Sequence, residues 1–218
     1  MSKINIAIAG VGNCSSALVQ GVQYYNENPE DTIGLMFEDI GGYSAPNFNF
    51  VVGFDVDARK VGQRLNKAIY AEPNCNMEVF PPGHDMSCIA NESIVYRSPT
   101  LDGIAPHMHD LDKAITFVED TATTPITASE YRDILKARNV DVLLNYMPVG
   151  SEDAARWHIE NAIRAGVHVV NCMPTYISTK DAMELEQLAI EHGVTIVGSD
   201  MRSDYGASRL SEVLQGSI

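Results

Sequence analysis

Long apolar runs are missing from this 218-residue chain: none is long enough to cross a bilayer, and no leader peptide is expected before the first apolar segment. The cytoplasm is therefore the expected location, with no membrane partner. Basic side chains are scarce, 15 Lys and Arg against 29 Asp and Glu, for a net charge of −14. That field repels a phosphate backbone and argues against nucleic acid as a partner. A small anion needs a local cation or a helix amino terminus to enter it. Cysteine is also sparse. Cys14, Cys75, Cys88 and Cys172 form no Cys-x-x-Cys pair, so neither a zinc site nor a disulfide framework is expected. His107 and His109 alternate as two ligands on one strand face would, but lack a third and fourth, and no metal is expected.

What is present alternates. Apolar strand candidates run from Ile4 to Ala9, Phe50 to Phe54, Ser93 to Tyr96, Val140 to Tyr146, Val167 to Asn171 and Val194 to Gly198. Helical segments lie between several of them. Thr127-Ala128-Ser129-Glu130 is a capping box for a helix to about Arg138, and Ser151 caps another that Gly166 ends. Ser178 and Thr179 start a third, closed by Gly193, and a last helix is expected from about Ala207 to Gln215. Strand and helix in alternation predict an α/β fold, a doubly wound parallel sheet of about six strands, Rossmann-like. One domain over 1–218 is expected, with loop insertions near 28–49 and 70–92, the latter a long surface loop.

The first strand runs into Gly10-Val11-Gly12-Asn13-Cys14-Ser15-Ser16. Gly10 and Gly12 permit a tight turn and close approach of the backbone, and the helix that follows points its free N–H groups at that turn. A pyrophosphate suits the position. The usual third glycine is replaced by Ser15, and Asp55 lies further along than the usual spacing of about 20 residues, an excess assigned to the first insertion. Asp55 is read as a ribose ligand, and Asp57 as a cap for the next helix. Cys14 reads as a small packing residue.

Ligands in such sheets sit at the carboxyl ends of the strands. That rule adds the segments Asn145 to Ser151, Asn171 to Thr175, and Gly198 to Ser203, with Pro148 and Pro174 bordering a nicotinamide. Ser151 is a plain cap, a cofactor contact or both. Asn171 either closes a turn or faces the site, and Asp200 with Arg202 is either a surface ion pair or part of it. His158, His168 and His192, the pair Tyr24-Tyr25, and the acidic runs Glu27 to Asp31 and Glu119-Asp120 read as packing or solvated surface.

Taken together, these pieces resemble the inositol-3-phosphate synthase family in its shorter bacterial and archaeal form. The resemblance is carried by Val11 to Ser16, Gly34-Leu35-Met36, Phe54 to Ala58 with Lys60-Val61-Gly62, and Pro99-Thr100-Leu101-Asp102-Gly103. Pro148-Val149-Gly150-Ser151-Glu152, Ala165-Gly166-Val167 leading to Asn171, and Ile196-Val197-Gly198 before Asp200 complete it, in family order. It implies NAD as cofactor and conversion of glucose 6-phosphate to inositol 3-phosphate, without net redox change. It implies Gly10, Gly12, Asn13, Cys14, Ser15, Asp55, Pro148, Gly150, Ser151, Asn171, Asp200 and Ser203 around the cofactor.

The chain departs from that family in two respects. It ends at Ile218, before the α+β domain that supplies the family's catalytic lysines. The family's Gly-Asp-Asp-x-Lys-Ser signature reads Gly198-Ser199-Asp200-Met201-Arg202-Ser203, which leaves only Asp200 and Arg202 as catalytic candidates, and Arg stays protonated. Three expectations follow: a working family member, either altered in chemistry or completed by a second polypeptide or a homo-oligomer, a non-catalytic NAD(H)-binding or sensing subunit, or a short oxidoreductase acting on another sugar phosphate.

Overall fold

Six apolar segments separated by helices assemble as the alternation requires. β1 (Ile4–Ala9), β2 (Phe48–Asp55), β3 (Val95–Arg97), β4 (Val142–Asn145), β5 (His168–Asn171) and β6 (Ile196–Val197) form one parallel sheet, ordered β3-β2-β1-β4-β5-β6. The helices are α1 (Asn13–Glu27), α2 (Leu65–Ala68), α3 (Ala128–Ala137), α4 (Glu152–Arg164) and α5 (Lys180–His192). The computed structural model describes residues 2–104, 108, 110–173 and 180–198, with the backbone alone over 180–183. The helix expected over 207–215, the start at Ser178, and His107, His109, Pro174, Thr175, Ser199, Asp200, Met201, Arg202 and Ser203 lie outside the described residues.

The strand order reverses between β1 and β4, and such a reversal opens a crevice at the strands' carboxyl ends. Ala9 pairs with both Phe54 and Asn145, so β1, β2 and β4 finish level with one another. β1 is buried on both faces, which is why it lacks polar alternation. Ile6 and Ile8 pack toward Val19 and Leu65, while Ala7 and Ala9 face the other layer, with Tyr131 and Ile159. The small alanines leave room there for Phe54, whose ring lies 4.3 Å from that of Tyr131.

His158 completes that aromatic layer. Its ring packs against Phe54, Tyr131 and Trp157, and its Nδ1 lies 3.1 Å from the Tyr131 hydroxyl. Nε2 is buried without a partner among the described residues. Burial pushes the imidazole down from 6.5 to about 3, so it folds neutral.

The helix starts divide. Thr127 and Glu130 form the expected capping box on α3, with Thr127 N donating to Glu130 Oε2 at 2.7 Å. Ser151 holds the cap position of α4, but its side chain makes no capping hydrogen bond, contrary to expectation. Asp102 caps α4 instead, accepting from Asp153 N at 2.8 Å and Ala154 N at 3.0 Å. Gly103 makes this possible. A Cβ there would lie 2.2 Å from Ser151 Oγ, so only glycine lets the loop settle onto the helix.

Two other expectations are corrected. The segment 70–92 is not surface throughout: Met86 and Cys88 are buried, and Phe50 N donates to Cys88 O at 2.7 Å. Glu119 and Asp120 are not simply solvated. Asp120 is buried, and buried Arg97 donates to its carbonyl and pairs with Glu119 at 3.2 Å.

Asp102→Ala should destabilise the protein by about 1 kcal/mol, and Ser151→Ala by less than about 0.5 kcal/mol, in urea unfolding. Equal losses would return the cap to Ser151. A second expectation concerns pH. Between its folded and ordinary values His158 binds a proton only when unfolded, so its contribution is complete above about 6.5 and falls as pH drops toward 3. Moving from about pH 7 to about pH 5 should therefore cost wild type about 2 kcal/mol more than a His158→Gln variant. Parallel losses in the two proteins would mean that His158 does not fold neutral.

Candidate functional site

At the crevice, Gly10 N donates to Phe54 O at 2.9 Å as the chain leaves β1. Gly10 has φ +87°, and a Cβ on it would lie 2.7 Å from the Tyr146 carbonyl oxygen. Left-handed backbone and contact with β4 thus both demand glycine there. Ser15 is buried, and its hydroxyl donates to Gly10 O at 2.5 Å. The residue in place of a third glycine braces the turn from behind. Gly12 is different: a Cβ on it would meet nothing within 4 Å.

Asp55 locks the turn to β2. Its Oδ2 accepts from Val11 N at 2.8 Å, and its Oδ1 from Val56 N at 2.7 Å and Asp57 N at 2.9 Å. Lys60 Nζ stands 3.9 Å from Oδ2 and donates to Asn74 Oδ1 at 3.1 Å. Asn74 in turn donates to Val11 O at 3.1 Å. The segment expected as loose surface therefore closes over the turn. Cys75 N donates to Asn13 Oδ1 at 2.8 Å, and the Asn76 amide reaches Asn13 O.

Asp57 caps no helix, because turns follow it until α2. It is fully buried and takes Arg59 in a two-pronged ion pair, at 2.9 Å from Nε and 2.6 Å from Nη2, with Val118 N at 3.0 Å. Burial raises its carboxyl, but these hydrogen bonds outweigh burial and hold it below the usual range.

Around this frame lies a cavity of about 320 Å³. Gly10, Gly12, Asn13, Cys14, Asp55, Pro148 and Ser151 line it. Ser15, Gly150 and Asn171 do not belong to the lining. Asn171 is buried and joins strands, accepting from Asn145 Nδ2 at 2.7 Å and donating to Met173 O at 3.1 Å. Cys14, expected as packing, is exposed in the wall. Lys60, Asn74, Ser98, the run from Pro99 to Ile104, Phe117, Tyr146 and Met147 also line it. Burial above all pushes the Tyr146 phenol upward, so it stays protonated. Pro99-Thr100-Leu101-Asp102-Gly103 was the available signal for that wall; nothing local marked Asn74 as reaching the turn.

The amino terminus of α1 faces this cavity. Gly12 caps it without a side chain, and its first turn holds no acid. By contrast α3 takes Glu130 and α4 takes Asp102 at the same place. Unsatisfied N–H groups and the positive end of the helix dipole are thus left for an anion. Among the described residues no group of acids, cysteines and histidines could hold a metal. No described helix is long and apolar enough to cross a membrane.

No family model matches the chain. In sequence it is 40% identical over 216 residues to the inositol-3-phosphate synthase of Mycolicibacterium smegmatis, covering 97% of this chain and 54% of that protein. Among solved structures it is similar to Ari2, with TM-score 0.71 and 27% identity over 91% of this chain and 53% of that one. The fold is also that of a myo-inositol-1-phosphate synthase-related protein from Thermotoga maritima, with TM-score 0.61, 17% identity, and 91% of this chain and 55% of that one covered. The chain spans about half the length of the curated relatives it matches. It is a relative of the inositol-3-phosphate synthases over that half of their length.

Proposed function

We propose that this chain binds NAD as the cofactor half of an inositol-3-phosphate synthase, a single domain over 1–218. The observation that carries the reading is the uncapped α1 terminus, opening on a cavity at the strand-order reversal. The N–H groups of Gly12, Asn13 and Cys14 would take the pyrophosphate, while Gly10 and Ser15 shape the turn behind them. Asp55 would face the adenosine ribose with the one acceptor position that its three N–H partners leave open. Pro148, Gly150 and Ser151 would border the nicotinamide side, with Asn171 supporting that edge, and Asp200 and Ser203 joining it. Bound NAD supplies a hydride acceptor and donor. The residues of this chain bind it, orient it and exclude water from it.

On this reading glucose 6-phosphate is the substrate and inositol 3-phosphate the product, with catalytic lysines supplied by a partner chain or a second copy. Asp200 and Arg202 are the chain's own candidates for the chemistry. A second reading, a cofactor-binding subunit without turnover, is favoured by one observation: Lys60 is the only basic residue lining the cavity among the described residues. It stands at the β2 end of the cavity, 3.9 Å from Asp55 Oδ2. NMR of the purified chain with glucose 6-phosphate, with and without NAD, separates the readings. Inositol 3-phosphate would establish turnover by this chain, a net change in NADH would mark an oxidoreductase, and cofactor binding alone would leave the subunit reading.

Gly12→Val should abolish NAD binding in calorimetry while leaving circular dichroism and stability near wild type, because the space it fills is open cavity. Gly10→Ala should instead destabilise the fold, its Cβ colliding with Tyr146 O. Normal affinity in Gly12→Val would remove the pyrophosphate from this turn. Asp55→Ala should weaken NAD binding by about 1–3 kcal/mol and also lower stability, since it orphans the Val11 N–H. Unchanged affinity would end its role at the ribose.

A further inference from the structure

Two carboxylates and one ammonium line the cavity among the described residues, and the ammonium alone has donors to spare. Asp102 is engaged by two N–H groups of α4, and Asp55 by three at the turn. Lys60 is only 4% exposed. Its Nζ donates to Asn74 Oδ1 at 3.1 Å and stays 3.9 Å from Asp55 Oδ2, beyond hydrogen-bond reach. An ammonium has three N–H donors, so two are left without an acceptor among the described residues. If neutralising Asp55 were its whole purpose, contact distance would serve better. Instead the head group is held by Asn74 at the cavity wall.

Its position is specific. Asp55 accepts the Val11 N–H and Asn74 donates to the Val11 carbonyl, so Lys60 lies beside both groups that hold the central residue of the glycine turn. It faces the same cavity as Gly12. Asp55, 3.9 Å away, is its ion-pair partner, and the two donors that Asp55 does not reach are completed by the oxygens of an anion. In a chain of net charge −14, this is the local cation that an anionic ligand needs.

We propose that Lys60 is a ligand-binding residue that donates to phosphate oxygens of the adenosine diphosphate portion of the dinucleotide. This rests on the nucleotide reading above. The α1 terminus supplies peptide N–H groups to that diphosphate and Lys60 supplies the full charge, so a nucleoside diphosphate binds without the nicotinamide half.

The test is titration of wild type, Lys60→Met and Lys60→Arg with NAD, ADP and adenosine, with circular dichroism on each protein. Lys60→Met should weaken ADP and NAD about tenfold or more and adenosine less than about threefold, and Lys60→Arg should recover part of the loss. In wild type, added salt should weaken ADP while leaving adenosine nearly unchanged, a reading that needs no variant to fold. Equal weakening of ADP and adenosine would make Lys60 a support for the turn and overturn the proposal, as would unchanged ADP affinity. Wild type that binds neither NAD nor ADP would overturn the nucleotide reading and this proposal with it.

Discussion

The Asp55 carboxylate, placed between three peptide N–H groups, is the contact on which the site depends. It joins the turn after β1 to the end of β2, and so fixes where α1 begins and where its free N–H groups point. Hydrogen bonds from peptide dipoles stabilise a buried charge far better than water-poor surroundings alone. The arrangement gives Asp55 two uses that compete for the same lone pairs. Three are committed to the fold, so a ligand finds a carboxylate already positioned but mostly engaged. On the proposed reading, affinity for a nucleotide would then lean on the α1 terminus and on Lys60.

For an acidic protein to bind an anion, as proposed here, positive potential has to be left uncovered somewhere. Here the choice is visible in the helix starts. Glu130 fills α3, Asp102 fills α4 from 51 residues away, and α1 is left bare behind Gly12. Each acid near a helix start contributes about 0.3–1 kcal/mol, so omitting one at α1 forgoes stability. The α4 cap has a second effect. It pins the Pro99 to Gly103 loop as a wall of the cavity, so one carboxylate both stabilises a helix and shapes the site.

The fold was legible because its signals are local. An apolar run, a glycine turn and a capping box each declare themselves within a few residues, and β1, Gly10, Gly12 and Thr127 to Glu130 could be read directly. Strand ends shifted by a residue or two, since hydrogen-bond pairing rather than composition decides them. What escaped is long-range. Asp102 replaces Ser151 as a cap because Gly103 lets one loop settle against another element, and no local pattern shows that. Segment 73–76 looked loose because Pro and polar residues were read as solvent-facing, whereas Asn74 spends its side chain on Val11 and Lys60. Cys14 and Ser15 exchanged roles for a similar reason. The serine can satisfy its hydroxyl on Gly10 O behind the turn, leaving the thiol to the open side.

Cofactor binding and sugar chemistry make different electrostatic demands. A dinucleotide needs charge near its diphosphate, the role proposed above for the α1 terminus and Lys60. Ring closure of a sugar phosphate develops negative charge on carbon-bound oxygens and needs fixed cations there. The α4 terminus, which borders the same cavity, is already neutralised by Asp102 and offers little to that charge. The chemical step would therefore draw its cations from beyond the described lining, from Arg202 or from a partner chain. On the proposed reading, the residues that would hold the cofactor are therefore distinct from those that would use it.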